Sequence, residues 1–186
     1  HGFDHARGAV VADAQVALHQ RDRGPPRLQH HFDGLVVHRA GLGIARTFQL
    51  IKPFLEFTAL QNVMVGRMYG REPDKNIKAA AEASRQILDQ VGLLPKAENL
   101  AKDLTLMERK RLELARALAA RPYLLLLDEL MAGLNHAEAE DAMQLIRKLK
   151  AESNLTILMV EHIVKAIVGL SDRIVVLNMG EKIAEC

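Results

Sequence analysis

Leu124-Leu125-Leu126-Leu127-Asp128-Glu129 is the stretch on which the reading of this chain turns. Tyr123–Leu127 is a continuous apolar run, the pattern of a strand buried on both faces of a parallel sheet. Two adjacent carboxylates follow it. In an open parallel sheet, ligands bind outside the carboxyl ends of the strands, so burial of the strand fixes where the acids emerge. Asp128 is then a candidate for a bound magnesium ion, which takes hard oxygen ligands. Glu129 is a candidate for positioning or deprotonating a water. A strand followed by an acidic, helix-capping turn is the other reading of the same residues.

Downstream, strand and helix alternate. Asn135 can cap a helix whose inner face is Ala139, Ala142, Met143, Ile146 and Leu149. Leu155–Val160 predicts a second apolar strand, His162–Leu170 a helix and Arg173–Leu177 a third strand. Short links in that order imply a parallel α/β sheet. Upstream, Thr58-Ala59-Leu60-Gln61 and Thr105-Leu106-Met107-Glu108 carry the capping-box pattern and open helices to about Tyr69 and Ala120. Ile77, Ala80, Ala81, Ser84, Ile87, Leu88 and Val91 mark one face of a helix between them. Residues 43–48 read as a short strand ending in Gln49. Val10, Val11, Ala14, Ala17 and Leu18 have helical spacing and predict a short helix over about 9–20.

Val160-Glu161-His162 ends the strand after the one carrying Asp128, so His162 faces the same sheet edge. Imidazole can donate a hydrogen bond to a phosphate oxygen; the alternative is a polar residue at a helix start. Gln49, also after a strand, could touch a metal or an attacking water, or be an ordinary loop glutamine.

Taken together, these segments match an ordered pattern, and the chain resembles the nucleotide-binding subunit of ABC transporters. Arg46-Thr47-Phe48-Gln49 looks like the strand and Q-loop, and Leu104–Leu118 like the signature segment and its helix. Leu124–Glu129 is similar to Walker B with its catalytic glutamate. Ala132-Gly133-Leu134-Asn135 resembles the D-loop, Val160-Glu161-His162 the switch-histidine segment, and residues 171–180 the strand beyond it. The resemblance covers about residues 41–186. Within it, Arg-Thr-Phe-Gln, Ala-Gly-Leu-Asn and Arg-Lys-Arg-Leu-Glu-Leu-Ala-Arg look most like subunits serving branched-chain amino acid importers.

The resemblance implies a P-loop NTPase-like α/β parallel sheet core with a helical subdomain over 58–120 and a Walker B to switch-histidine core over 121–186. It implies an ATP-driven motor in which Glu129, His162 and Gln49 are catalytic, and Asp128 and Gln49 act on Mg2+. Thr105, Leu106, Met107, Glu108, Gly133 and Asn135 would approach ATP held by a second ATP-binding subunit. Transmembrane permease subunits would dock near Gln49 and the helical block. The chain would then sit in the cytoplasm, peripheral to the inner face of the membrane.

Three departures accompany these motifs. No Gly-x-x-x-x-Gly-Lys-Ser/Thr occurs in the 186 residues, so the backbone cradle and lysine that hold phosphates are not supplied by that motif. The family's Leu-Ser-Gly-Gly-Gln reads Leu104-Thr105-Leu106-Met107-Glu108, adding bulk and negative charge where glycines allow close approach. Leu130 stands where proline usually follows the Walker B acids.

Composition points to where the pattern breaks. Residues 1–50 contain no lysine or glutamate, and six of the eight histidines precede residue 40. Ten lysines and thirteen glutamates follow. Residues 1–40 are therefore read as an unplaced, abnormal segment and the chain as a piece of a longer protein. A net charge of +2, two tyrosines and five phenylalanines give neither a basic face nor a stacking set for nucleic acid. The single cysteine, Cys186, excludes an internal disulfide and fits a reducing compartment. Two functions remain open from sequence: a transport ATPase subunit, and a degenerate, non-hydrolysing ABC-like interaction module.

Overall fold

A computed structural model describes residues 8–13, 42–47, 53–153 and 155–186. Its strands are β1 (Gly8–Asp13), β2 (Ile44–Arg46), β3 (Leu124–Asp128), β4 (Thr156–Glu161), β5 (Arg173–Asn178) and β6 (Glu181–Glu185). Its helices are α1 (Ala59–Tyr69), α2 (Ile77–Gln90), α3 (Leu106–Ala119), α4 (His136–Glu152) and α5 (Val164–Leu170). None of the described helices is long and apolar enough to cross a membrane.

The strands form one sheet in the order β2-β3-β4-β1-β5-β6, parallel throughout except for the antiparallel β5–β6 pair. The expected α/β parallel sheet is thus present. The chain leaves β1 for β2, on the far side of β4, and leaves β4 for β5, on the far side of β1. That reversal makes the carboxyl ends of β1 and β4 a topological switch point, where open α/β sheets hold ligands.

β1 corrects one expectation. Residues 8–13 are a strand, not the start of a helix over 9–20; residues 14–20 lie outside the described part. Val10 and Val11 are β-branched, and β1 is paired on both sides, Val10 with Met159 of β4 and with Ile174 of β5. Two ladders outweigh a helical spacing. β6 was not anticipated: Met179 and Gly180 both take the left-handed conformation, φ 47° and 85°, as a two-residue hairpin turn requires.

β3 is less enclosed than its apolar run implied. Leu125 and Leu127 are fully buried, whereas Leu124 and Leu126 are half-buried. The inner face of α4 is as expected, with Ala139, Ala142, Met143, Ile146 and Leu149 all buried. On α2, Ala80, Ser84 and Leu88 are buried while Ile77, at the first turn, is exposed.

The helical block is held by close contact between α1 and α3. A Cβ on Gly66 would lie 2.7 Å from the Arg116 carbonyl oxygen, and one on Gly70 would lie 2.6 Å from the Ala120 Cα. Only glycine lets the two backbones meet there. Beside that contact, Arg67 is buried and grips Asp74 with two bonds, Nε–Oδ2 at 2.7 Å and Nη2–Oδ1 at 2.6 Å. The Arg67 hydrogen bond holds the Asp74 carboxyl below the usual carboxylate range.

Candidate functional site

β3 and β4 end in register, Asp128 opposite Val160. The Glu129 N–H donates to the Val160 carbonyl at 2.9 Å, so Glu129 lies against the end of β4, next to Glu161 and His162. β1 reaches the same edge, with Ala12 opposite Glu161. The sheet therefore brings together Asp128, Glu129 and His162, as their spacing predicted. Gln49 falls outside the described residues.

Asp128 is held from β2. Its N–H donates to the Thr47 hydroxyl at 3.3 Å, and its Oδ2 accepts from Arg46 Nη2 at 2.8 Å. The Arg46 guanidinium thus places a positive charge beside the carboxylate expected to serve a metal. Among the described residues no three His, Cys, Asp or Glu side chains gather into a metal cage. One strand-end carboxylate at an open edge nevertheless fits Mg2+, which keeps several waters and takes one or two carboxylates plus substrate phosphates.

Glu129 has φ 46°, the left-handed region that costs a non-glycine residue about 1 kcal/mol. The twist turns the chain sharply off the end of β3. Glu129 O then accepts from the Ala132 N–H at 3.1 Å, and Met131 O from the Leu134 N–H at 3.2 Å, winding residues 129–134 into consecutive turns. Gly133, φ 75°, completes the reversal, and a Cβ on it would reach Leu106 at 3.5 Å. The D-loop-like segment therefore abuts the first turn of α3.

The residues expected to approach nucleotide from that turn are occupied locally. Thr105 and Glu108 form a complete capping box: the Thr105 hydroxyl accepts from the Glu108 N–H at 3.3 Å, and Glu108 Oε2 accepts from the Thr105 N–H at 2.9 Å. That backbone donor, ahead of nearby Lys96, holds the Glu108 carboxyl low. Leu106 is exposed and Met107 half-buried. Asn135 caps α4 in the same manner, its Oδ1 accepting from the Glu138 N–H at 3.0 Å. His162 is exposed directly after β4.

Two charged residues at this site were quoted in motifs but given no role. Glu161 is 1% exposed; its Oε1 accepts from the Met131 N–H at 2.9 Å, and its Oε2 is buried without a hydrogen-bond partner among the described residues. Burial pushes its carboxyl up. Lys110 of α3 is 6% exposed and donates to the Leu130 carbonyl at 2.8 Å. Burial pulls its ammonium down, against Glu161, Glu113 and Glu129, whose charges push it up. The available signal was a charge at a core position: Glu161 closes an apolar strand, and Lys110 shares the buried stripe of α3 with Glu113, Leu114 and Ala117.

Comparison with known proteins bears on the family and the fold. The profile of the ABC transporter family matches residues 18–132. The high-affinity branched-chain amino acid transport ATP-binding protein BraF of Pseudomonas aeruginosa is 34% identical over 200 aligned positions, covering 99% of this chain and 78% of BraF. The corresponding protein LivG of Escherichia coli K12 is 35% identical over 167 positions, covering 83% of this chain and 66% of LivG. Similarity is therefore not confined to residues 41–186. Among solved structures, the ADP conformation of MJ1267, an ATP-binding cassette of an ABC transporter, superposes with a TM-score of 0.69 at 28% identity, over 81% of this chain and 63% of that one. The dimeric cassette MJ0796, 19% identical, shares the fold with a TM-score of 0.73 over the whole chain. This chain thus spans slightly under two thirds of LivG and of MJ1267.

Proposed function

The chain belongs to the ABC transporter family, and on that premise we propose that it is the ATP-binding and ATP-hydrolysing subunit of an importer for branched-chain amino acids. The observation that carries this reading is the alignment of Asp128–Glu129 and Glu161–His162 at one sheet edge, beside the end of β1 at the switch point. The substrate class rests on the likeness to BraF and LivG.

Each residue has a definite part. Asp128, at the carboxyl end of β3, would hold a bound Mg2+ directly or through water, in place of its present bond from Arg46. Glu129, held at the end of β3 by its bond to Val160, would accept a proton from the attacking water. His162 donates to a phosphate oxygen. A Mg2+ ion held by Asp128 would supply neutralisation of negative charge on a bound nucleotide's phosphates. Gln49 is assigned to the metal and the attacking water through the family motif.

Partners are inferred likewise. Phe54, Leu55 and Phe57 form an exposed apolar patch just after the Gln49 segment, the two rings 5.3 Å apart. Buried Asn62 holds this loop rigid, accepting from the Phe54 N–H at 2.9 Å and donating to the Phe54 and Thr58 carbonyls at 3.0 Å. A fixed apolar patch of this kind suits a helix of a transmembrane permease subunit. Pairing with a second ATP-binding subunit is supported by the shared fold of the dimeric cassette MJ0796. With both partners, the chain would work at the inner face of the membrane.

Two observations favour a second reading, a degenerate module that docks without hydrolysing. The first turn of α3 is filled by its own Glu108, and Asp128 already has a cation. One experiment separates the two. Saturable Mg-ATP binding weakened by Asp128→Asn, with phosphate release lowered about a hundredfold by Glu129→Gln, supports the ATPase. Docking to permease without nucleotide binding at millimolar ATP refutes it.

A further inference from the structure

Leu130 O and Met131 N belong to one peptide unit. Lys110 of α3 donates to its carbonyl at 2.8 Å, and Glu161 of β4 accepts from its N–H at 2.9 Å. The peptide is thus bracketed by opposite charges, each facing the end of the peptide dipole that it attracts. All the parts are enclosed: Lys110, Leu130, Met131 and Glu161 are each buried. A hydrogen bond to an ionised group is roughly twice as strong as one between neutral partners, and low local dielectric strengthens it further. The Glu161 carboxylate, with Glu113 and Glu129, favours the charged form of Lys110 across the peptide against the cost of burial.

The geometry points to Lys110 and Glu161 as positioning residues that clamp this peptide, and through it Glu129, between α3 and the end of β4. Glu129 is the residue before the clamped unit and is tied to β4 by its own N–H. Its left-handed backbone is therefore held at both sides, by Val160 and by the bracket. The helix that begins at Leu106 and the strand that ends before His162 meet at one amide. A shift of α3 reaches Glu129 through that amide rather than through side-chain packing alone. This assignment rests on Glu129 acting as proposed, but the clamp can be tested without nucleotide.

Amide hydrogen exchange resolved by residue tests it on the full chain. Lys110→Met and Glu161→Met are each expected to speed exchange of residues 130–134 about tenfold, with Leu114 in α3 and Met159 in β4 unchanged as internal references. Lys110→Arg, which keeps a donor, restores wild-type exchange. The double Met variant exchanges more slowly than the product of the single effects, since the two groups act on one shared peptide. Should a Met variant not fold, Glu161→Gln decides: a neutral acceptor raises exchange of the Met131 amide about threefold. Single variants that change nothing in 130–134, effects that simply multiply, or an unaltered Met131 amide in Glu161→Gln overturn the clamp. A failure to hydrolyse ATP bears only on the proposed function.

Discussion

Replacing Asp74 by Asn isolates the ion pair that closes the helical block. Arg67 is 3% exposed and Asp74 11%, and both guanidinium–carboxylate bonds are shorter than 2.8 Å. Arg121 adds a second, looser cation 3.6 Å from the same carboxylate. Asn keeps one carbonyl acceptor but leaves the buried guanidinium without its counter-charge. Breaking a buried pair from one side costs about 3–5 kcal/mol, and the retained acceptor puts Asp74→Asn near the lower bound, about 3 kcal/mol. Unfolding entropy of about 2.1 cal/mol/K per residue gives roughly 0.4 kcal/mol per kelvin for this length. Tm should therefore fall by about 8 °C at neutral pH, read by circular dichroism or calorimetry. The pH dependence supplies a second constraint. The folded Asp74 pKa lies below its unfolded value because of the Arg67 bond. The pair's contribution is hence present above about pH 4 and lost as pH falls through the lower folded value. The gap between wild type and Asp74→Asn must close on acidification. A shift below about 2 °C at pH 7, or a gap that does not narrow in acid, refutes the reasoning.

Gly66→Ala forces a methyl group to within 2.7 Å of the Arg116 carbonyl oxygen and 2.8 Å of the Ala119 Cβ. Overpacking of about 1–3 kcal/mol outweighs the helix-propensity gain of about 1 kcal/mol, and the urea midpoint should drop. Glu161→Gln changes the pH profile of stability. Burial raises the folded Glu161 pKa above its unfolded value, so its contribution is present below about pH 4.3 and is lost as pH rises through the folded value. The wild-type urea midpoint should fall over that window, and the variant's should stay flatter.

What could be read from the sequence was what local chemistry decides. Thr58, Thr105 and Asn135 each needed only a partner three residues on, and each forms its capping box. The apolar stripe of α4 followed from periodicity, and β3 and β4 from their apolar runs, each one residue from its observed bounds. β1 escaped because its identity comes from β4 and β5, more than a hundred residues away. Lys110 and Glu161 escaped for a different reason. Their partner is a backbone amide, identical at every position, so no residue type marks it. The capping turn at Thr105 shows the converse. It was legible as helix chemistry, and that chemistry uses the groups that the family motif would offer to a phosphate.

The glycine contact between α1 and α3 has a mechanical side. Helices spaced by side chains can creep past each other as rotamers change. Here the carbonyl of Arg116 and the Cα of Ala120 come within 2.7 and 2.6 Å of where Cβ atoms on Gly66 and Gly70 would be, leaving little soft layer to deform. The two helices behave as one stiff strut. A displacement of the exposed loop before α1 would then reach α3 through backbone contact rather than through rotatable side chains.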